Sequence, residues 1–388
     1  MAGLIQLQRS GPRLSAWLRN GDSHSASVHN LKSDLRRLRL HTVCESARCP
    51  NLHECFHRGA ATFMILGNLC TRGCGFCSVP KSRHPGPLDP EEPAHVARMA
   101  QTMGLRYVVI TSVNRDDLRD GGSEHFAQTI REVKRALPEA RVEALTPDFC
   151  GDLDAVARVL DASPDVFNHN IETVPRLYRT VRPQANYRQS LAILRFAVSC
   201  GAGLRPAIPT DASISNCDSD GVVAAPRGEG GRSPSGQPIR AVTKGSGFRA
   251  DPTTAPSGHG SECDAPLSAI ADPGENGRPT ASRTASLNRD RRRAAGHLVK
   301  SGAMLGLGET PAEVEQLLRD LREAQVDVVT LGQYLQPTRR NLQVAEYITP
   351  ERFDAYRDYG LSLGFKMVFS GPLVRSSYMA DVVHASSV

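Results

Sequence analysis

Short apolar runs alternate with amphipathic helical patterns along most of this chain. From Ala61 onward the runs have the length and the Val, Ile and Thr content of β-strands. The predicted strands are Thr62–Gly67, Tyr107–Val113, Arg141–Thr146, Asp165–Ile171, Ser301–Gly306 and Asp327–Gln333. The helical patterns between them cover Glu91–Met103, His125–Leu137, Leu153–Leu160, Tyr187–Cys200 and Pro311–Ala324. This alternation indicates βα units around a parallel sheet or barrel, and periodicity alone does not separate a barrel from a doubly wound sheet.

Polar and glycine-containing motifs stand at the carboxyl ends of these predicted strands. Cys70–Cys77 follows the first strand and Asn114–Gly122 follows the second. Asn168–Glu172 ends the fourth strand and Leu307–Glu309 follows the fifth. In α/β barrels the reactive groups gather in the loops at this edge. We therefore expect one active site that is assembled from several loops.

The segment from about Thr210 to Ala295 breaks the alternation. It is rich in Gly, Ser, Pro, Asp and Arg, it has a single aromatic residue, Phe248, and it lacks a sustained hydrophobic period. Such a composition buries too little apolar surface to offset the entropy of ordering, which predicts a disordered insertion. Two interpretations stay open: a tolerated insertion or an error in the gene model, and a partner-binding arm.

Composition narrows the classes of function. The 388 residues carry a net charge of +6, and 40% of them are hydrophobic, which suits a globular protein. The basic residues are scattered, without the aromatic interleaving that is typical of nucleic-acid binding. A run of about 20 apolar residues, the length needed to cross a bilayer, is missing. We expect neither a nucleic-acid partner nor a membrane span.

Six of the ten cysteines form two neighbouring groups of three. One group has the spacing Cys-x4-Cys-x5-Cys and the other has Cys-x3-Cys-x2-Cys. Structural zinc usually closes its tetrahedron with a fourth Cys or a His. Three thiolates per site instead indicate cubane iron–sulfur clusters, each with one iron left for another ligand. A zinc knuckle or a redox pair is the alternative for the second group. The groups are Cys44/Cys49/Cys55 and Cys70/Cys74/Cys77.

These motifs resemble a known family. Cys-x3-Cys-x2-Cys after an apolar strand is the signature of radical S-adenosylmethionine (SAM) enzymes. The upstream stretch HTVCESARCPN, together with Cys55, is similar to the cysteine motif of lipoyl synthases. The other matching stretches, in the family's order, are TFMILGNLCTRGCGFC, YVVITSVNRDDLRDGG, FNHNIETV, MLGLGET, LGQYLQPT and GPLVRSSYMAD. The resemblance runs from about Trp17 to Asp381 and is interrupted once, by the insertion.

The resemblance implies the fold and its division along the chain. The fold is α/β, a partial (β/α)6 TIM-type barrel of the radical SAM type with terminal extensions and a disordered insertion. The expected parts are an N-terminal extension 1–60 with the auxiliary-cluster cysteines, the first part of the barrel 61–209, the insertion 210–296, the second part of the barrel 297–365, and the C-terminal segment 366–388 with the RSSY motif.

The resemblance also implies two [4Fe–4S] clusters. Cys70, Cys74 and Cys77 would bind the first, whose open iron chelates SAM. The auxiliary cluster would be bound by the other three cysteines and by Ser377 of RSSY, although the sequence does not separate Ser377 from Ser376. A serine oxygen is an unusually hard ligand for iron and is easier to displace than a thiolate, which suits a cluster that donates its sulfur. Without the cysteine motif, RSSY would be read as a capped turn.

Two motifs are expected to contact SAM. Asn168, Asn170 and Glu172 occupy alternate positions, so their side chains are predicted to face one side. A buried structural network is the competing interpretation. Gly306, Gly308 and Glu309 would bring backbone close to the adenine, and the glycines can equally mark a tight turn.

The implied activity is lipoyl synthase: insertion of two sulfur atoms, at carbons 6 and 8, into an octanoyl group on a lysine of a carrier domain. The implied partners are octanoylated 2-oxoacid dehydrogenase E2 subunits and glycine cleavage H protein, a ferredoxin or flavodoxin, and iron–sulfur assembly proteins. The alternatives are another radical SAM sulfur inserter, such as a biotin synthase or methylthiotransferase, and an iron–sulfur carrier without enzymatic activity.

The N-terminal residues bear on location. The stretch before Asp22 contains Arg and Ser but no acidic residue, which is compatible with a transit peptide. The alternative is a short lead-in, because Trp17-Leu18-Arg19 already resembles the start of the family's conserved body. We favour a cytoplasmic location, since oxygen-sensitive clusters need a reducing compartment.

Overall fold

An eight-stranded sheet is the centre of the protein in a computed structural model, which describes residues 26–46, 51, 60–202 and 296–377. The strands are β1 (His41–Thr42), β2 (Ala60–Ile65), β3 (Tyr107–Ser112), β4 (Arg141–Leu145), β5 (Val166–Asn168), β6 (Leu298–Leu305), β7 (Val328–Gln333) and β8 (Met367–Gly371). Each strand pairs with its neighbour in the chain; β1 is antiparallel to β2 and all later pairs are parallel.

Helices connect the strands and cover one face of the sheet. They are α1 (Ala26–Arg37), α2 (Val43–Ser46), α3 (Glu92–Thr102), α4 (Ser123–Ala136), α5 (Leu153–Asp161), α6 (Tyr178–Val181), α7 (Tyr187–Gly201), α8 (Pro311–Glu323) and α9 (Pro350–Ser362). Local sequence sets their starts: Asp152 accepts the free N–H groups of α5, and Thr310 forms a capping box with Glu313 ahead of Pro311 in α8. None of the described helices is long and apolar enough to span a bilayer.

The sequential strand order decides between the two architectures that periodicity leaves open. A doubly wound sheet reverses its order at a switch point, whereas here β2 to β8 follow one another without a crossover. Within the described residues no pairing joins β8 back to β1 or β2, so the barrel is open on one side. The predicted α/β partial barrel is therefore confirmed.

All six predicted strands and all five predicted helices are present, with ends that shift by a few residues. The sheet also contains β8, beyond residue 365, and α9 precedes it. Neither was predicted, because β8 is a short run with one buried residue and α9 is polar over much of its surface. In the fourth predicted strand, regular pairing is limited to Val166–Asn168.

Side chains alternate between two faces along each strand. One set, represented by Val108, Val142 and Val299, belongs to the main apolar core, which the helices cover. The other set points into the barrel, where Glu143 and Lys300 are both fully buried. The barrel interior is therefore partly polar.

A closed hydrogen-bond network satisfies this buried charge. Lys300 Nζ lies 3.1 Å from both carboxylate oxygens of Glu143. The Tyr107 hydroxyl donates to Glu143 at 2.8 Å, and Asn168 Nδ2 donates to it at 2.7 Å. Removing one partner of such a buried pair costs about 3–5 kcal/mol, because the other charge stays unpaired. Glu143, Lys300 and Tyr107 thus form a rigid layer of polar side chains inside the barrel, which we call the polar floor. This layer also orients Asn168.

The predicted insertion falls almost wholly outside the described residues, but the two chain ends that flank it lie side by side. A methyl group on Gly296 would lie 2.8 Å from the carbonyl oxygen of Gly201. The His297 ring Nε2 lies 2.9 Å from the carbonyl oxygen of Ala197. The chain therefore leaves α7 and enters β6 at one point, at the end of the barrel opposite the carboxyl edge.

We predict that residues 210–295 can be replaced by a short Gly-Ser linker without loss of the barrel. The free energy of unfolding should stay equal or rise by about 1–3 kcal/mol, because a shorter loop is cheaper to close. Thermal unfolding and cluster content of the excised and full-length chains check this. An aggregated product, or a chain that no longer takes up iron, would contradict it.

Candidate active site

The carboxyl ends of the parallel strands bring most of the predicted site residues to one edge of the barrel. The loop Cys70–Cys77 follows β2, Asn170 and Glu172 follow β5, and the turn Gly306–Glu309 follows β6. The C-terminal residues Val374–Ser377 follow β8 and return to the same edge. Tertiary structure thus assembles four loops that are far apart in the sequence.

Backbone hydrogen bonds hold the cysteine loop at its base. Cys70 donates its N–H to the carbonyl of Pro80 at 2.9 Å and accepts from Ser82 N at 2.9 Å. The Cys70 sulfur accepts N–H groups from Arg72 at 3.5 Å and from Asn114 at 3.3 Å. Hydrogen bonds to sulfur stabilise the thiolate and tune the potential of a bound iron–sulfur cluster.

The three thiols of this loop lie close enough to influence one another. Burial raises the pKa of Cys74 above its ordinary value, against the opposing charge of Arg182. Burial also raises the pKa of Cys77, to about 11, and the charges of Cys74, Cys70 and Glu172 add to the rise. Thiols in such surroundings are protonated at neutral pH, so binding iron must release protons.

The buried guanidinium of Arg72 joins this loop to the loops after β3 and β4. Its Nε and Nη2 donate to the two carboxylate oxygens of Asp116, each at 2.8 Å, and its Nη1 donates to Asp148 at 2.7 Å. Burial would raise the pKa of Asp148, but the charge of Arg72 holds it below its ordinary value. Arg72 therefore fixes the cysteine loop to two neighbouring loops through charged, geometrically specific hydrogen bonds.

The loop after β3, which begins at Val113, contains both acidic and basic side chains, and most of them stabilise the fold. Arg115 is buried, pairs with Asp117 at 2.8 Å, and donates to the carbonyl groups of Leu66 at 3.2 Å and Gly86 at 2.7 Å. Asp116 faces Arg72. Most of this loop's charges therefore hold the edge of the barrel together.

Of the three residues predicted to share one side of a strand, only Asn168 lies in the regular strand β5, and Asn170 and Glu172 follow it in the loop. Asn168 joins the polar floor, whereas Asn170 Nδ2 donates to Glu172 at 3.2 Å and to the Ser376 hydroxyl at 3.1 Å. Burial raises the pKa of Glu172, against the charge of Arg182 and the hydrogen bond from Asn170. Asn168 Oδ1 and Asn170 Oδ1 are buried without a hydrogen-bond partner among the described residues.

Arg182 places a second buried cation at this edge. Its Nη1 donates to the carbonyl of Asn170 at 2.9 Å, and its guanidinium lies 5.7 Å from the ring centroid of Tyr178. Its Nε is also buried without a hydrogen-bond partner in the described part of the chain. Unpartnered buried donors and acceptors are costly, so these atoms are candidates for contacts with a ligand.

The turn Gly306–Glu309 is packed and internally bonded. The Glu309 carboxylate accepts the N–H groups of Gly306 and, at 3.0 Å, Leu307. Gly306 has a positive φ of 97°, and a side chain there would overlap with Gln333 and the carbonyl of Glu346. This geometry favours the tight-turn interpretation for Gly306 and Glu309, and it leaves the outer backbone around Gly308 open.

Two of the residues predicted for the auxiliary site, Cys44 and Ser377, lie in segments that reach the same edge of the barrel. Cys44 is buried in α2, while Cys49 and Cys55 lie outside the described residues. The Ser78 hydroxyl, next to Cys77, donates to the carbonyl of Ser46 at 2.5 Å. Segment 43–46 therefore lies directly beside the cysteine loop.

Two asparagines from distant parts of the chain hold the segment that contains the RSSY motif. Asn51 Nδ2 donates to the Leu373 carbonyl at 2.7 Å, and Asn170 holds Ser376. Ser377 is half-buried and makes no hydrogen bond with any residue that the structure describes. Among the residues that the structure describes, only Ser376 of the two serines has a hydrogen-bond partner.

Gly332 of β7 allows the C-terminal segment Val374–Ser377 to pass close to the backbone of β7. A methyl group at Gly332 would overlap with the carbonyl oxygen of Val374 and lie 3.4 Å from Arg375 Nη1. Only a residue without a side chain permits this close approach of two backbones. The neighbouring Gly371 is less constrained, since a methyl group there would lie 3.3 Å from the Val374 side chain.

Sequence reasoning missed the charged residues that support the site, namely Arg72, Glu143, Arg182 and Lys300. Glu143 and Lys300 carry a signal, because a charged residue in an otherwise apolar strand is rarely buried without a partner. The pairing itself joins strands β4 and β6 and is visible only in the fold. No group of three or more His, Cys, Asp or Glu among the described residues is arranged to hold a single metal ion.

Comparisons with known proteins identify the family of this chain. Residues 64–203 match the model of the radical SAM superfamily, and residues 3–49 match the N-terminal domain of lipoyl synthase. Lipoyl synthase of Rubrobacter xylanophilus is 42% identical over 364 residues, which cover 94% of this chain and 84% of the relative. That of Caldanaerobacter subterraneus is 41% identical over 92% of this chain and 93% of its own length. Methylornithine synthase, a solved structure, aligns with a TM-score of 0.41 and 11% identity over 92% of this chain and 88% of its own.

We predict that Arg72→Lys weakens the cysteine loop, because Lys cannot make the bidentate bonds to Asp116 while it also reaches Asp148. Losing these buried charged bonds should cost about 1–3 kcal/mol of unfolding free energy and reduce iron uptake by the first cysteine group. Thermal unfolding of the iron-free chain and iron content after reconstitution measure both. The control is Arg141→Lys, which alters the pair with Asp165 at the opposite end of the sheet. Normal iron uptake by Arg72→Lys would refute the prediction.

We predict that Gly332→Ala displaces the C-terminal segment and with it Ser377, the predicted ligand of the auxiliary cluster. Iron should fall to about half after reconstitution, because the Cys70–Cys77 loop, which is predicted to bind the first cluster, does not contact position 332. Gly371→Ala is the control and should keep nearly all the iron. Mössbauer spectra and iron analysis distinguish the outcomes, and equal iron in both variants would show that the close approach is dispensable.

Proposed function

The chain belongs to the lipoyl synthase family of the radical SAM superfamily, and we propose from its site which residues carry out that family's reaction. It is a radical SAM enzyme whose cofactors are [4Fe–4S] clusters and SAM. The enzyme inserts two sulfur atoms, at carbons 6 and 8, into the octanoyl group on a lysine of a carrier protein, and the auxiliary cluster supplies the sulfur.

Three thiols on one short loop are the observation that carries the assignment of the first site. Burial raises the pKa of Cys74 and of Cys77, and the nearby charges of Cys70 and Glu172 add to the rise. This donor set fits a cluster with three thiolate ligands and one open iron. Arg72 hydrogen-bonds to Asp116 and Asn114 donates its N–H to the Cys70 sulfur, so the base of the loop is held in place by the protein itself.

The unpartnered polar atoms beside the loop fit SAM. Asn168 Oδ1 and Asn170 Oδ1 can accept from ribose hydroxyls or an ammonium group, and Arg182 Nε can donate to a carboxylate. We assign Asn168, Asn170 and Glu172 to the SAM site on this basis. Gly306, Gly308 and Glu309 form one side of the proposed SAM site. Glu309 contributes indirectly, because its carboxylate accepts backbone N–H groups and so stabilises the turn.

We assign Cys44, Cys49, Cys55 and Ser377 to the auxiliary cluster. The bond between Ser78 and Ser46, and the contact of Gly332 with Val374, support a second site directly beside the first. When bound, the two clusters and SAM supply the 5′-deoxyadenosyl radical and the sulfur atoms that the reaction needs. The chain itself positions these groups and lines the space between them with Asn170 and Ser376.

The substrate is an octanoylated carrier protein. We propose that the carriers are 2-oxoacid dehydrogenase E2 subunits and glycine cleavage H protein, that a ferredoxin or flavodoxin supplies electrons, and that iron–sulfur assembly proteins load and rebuild the clusters. Oxygen-sensitive clusters favour a reducing compartment, for which we propose the cytoplasm. No nucleic-acid or membrane partner is proposed.

The decisive test is an anaerobic single turnover of the reconstituted full-length protein with an octanoyl-lysyl peptide, SAM and dithionite. We expect mass spectrometry to find a peptide that has gained two sulfur atoms, with no net change in hydrogen as the dithiol and with two hydrogen atoms fewer once air has oxidised the dithiol to the disulfide. Ser377→Ala should still release 5′-deoxyadenosine but should insert little sulfur, because only the auxiliary cluster loses a ligand.

Ser376→Ala is the matched control and should keep most of the sulfur insertion. Loss of insertion in Ser376→Ala with retention in Ser377→Ala would reverse the serine assignment. Absence of 5′-deoxyadenosine from the wild-type chain with both clusters verified would contradict the proposed activity.

A further inference from the structure

The segment that contains the cysteine loop and two segments that contact this loop are basic and contain no acidic residue. Residues 70–85, 175–189 and 334–345 together hold nine Lys and Arg but neither Asp nor Glu. The whole chain is nearly balanced, with 47 basic and 41 acidic residues. Three of these nine do not contribute free surface charge, because Arg72 and Arg182 are buried and Arg176 pairs with Glu313; the other six are exposed, although the segments are far apart in sequence.

Hydrogen bonds bring these segments together at the tip of the loop. Gly75 N donates to the Val181 carbonyl at 2.9 Å, and Lys81 Nζ donates to the Cys74 carbonyl at 3.4 Å. Asn341 Nδ2 donates to the carbonyl groups of Gly75 at 3.2 Å and Cys77 at 3.0 Å. The loop that carries Cys74 and Cys77 is thus clamped between two basic segments.

Four exposed cations stand next to these contacts, and we name them the basic rim: Lys81, Arg179, Arg339 and Arg340. No carboxylate among the described residues pairs with any of them. Surface arginines elsewhere are often paired, as in Arg131–Glu124, Arg195–Glu323, Arg319–Glu315 and Arg357–Asp354. The rim therefore keeps a net positive potential that internal ion pairs do not cancel.

We propose that the basic rim is the docking surface for an acidic one-electron carrier protein that reduces the first cluster. The proposal rests on the proposed function, which requires that electron. In this step the reduced carrier loses one electron and the cluster bound by Cys70, Cys74 and Cys77 gains it, with no bond formed or broken in either protein.

The position of the rim favours an electron carrier over the octanoylated carrier. Residues 73–79 of the cysteine loop are all partly exposed, so this surface offers a short path from solvent to the thiols. Electron transfer needs only a brief approach over a short distance, and transient redox complexes use small, charged interfaces. The octanoyl arm must instead enter the space between the two clusters.

The test uses the reconstituted full-length protein and a recombinant flavodoxin as the acidic carrier. The variants are Arg339→Glu/Arg340→Glu and Arg179→Glu, and the control is Arg98→Glu, an exposed and unpaired residue on α3 away from the loop. Two readouts are measured at several salt concentrations: the Kd of the flavodoxin complex, and 5′-deoxyadenosine formation driven by reduced flavodoxin or by dithionite.

We expect the double variant to raise the Kd for flavodoxin by about tenfold or more and to slow the flavodoxin-driven reaction similarly, because charge reversal removes electrostatic steering. The dithionite-driven rate should stay unchanged, and Arg98→Glu should behave as wild type. Added salt should weaken wild-type binding and have less effect on the double variant.

Unchanged flavodoxin binding in the rim variants would overturn the proposal. Equal loss with both reductants, together with a raised KM for the octanoyl peptide, would assign the rim to the substrate carrier instead and would overturn it too. A wild-type chain that binds flavodoxin through the rim but inserts no sulfur would refute the proposed function alone, since the binding measurement does not depend on turnover.

Discussion

The site depends on one interaction, the guanidinium of Arg72 held between Asp116 and Asp148. These bonds join the loops that follow three successive strands, and all three side chains belong to the edge where the chemistry is expected. A loop of cysteines and glycines has little packing of its own to hold it. Charged hydrogen bonds in a buried setting are strong and directional, so they orient the thiols without a bulky apolar anchor.

The barrel separates two kinds of packing. On its outer face the strands contribute Val, Ile and Phe to one large apolar core beneath the helices. On its inner face the Lys300–Glu143 pair and its partners fill the interior with satisfied polar groups. A polar interior costs stability relative to an apolar one. It also orients Asn168, whose free amide oxygen marks where the floor ends and the ligand space begins.

Most of the fold was predictable, because alternation of strands and helices is a local pattern. β8 and α9 escaped prediction, since a single buried position in β8 and a polar surface on α9 give little periodic signal. The cysteine groups were also readable from spacing. The supporting arginines and the Lys300–Glu143 pair could not be predicted from spacing. Each of them bonds to a partner that is distant in sequence, as Arg72 does to Asp148.

The sequence by itself determined the βα alternation, the donor types at the two clusters and the resemblance to the lipoyl synthase family. Within the described residues, the tertiary structure decided that the barrel is singly wound and open, that Asn170 holds Ser376, and that Gly332 lets the C-terminal segment approach the end of β7 closely. It also gathered the unpaired cations around the cysteine loop. The physical reason is that spacing encodes local contacts, whereas burial, strand order and the closing of charged pairs arise only when distant segments pack.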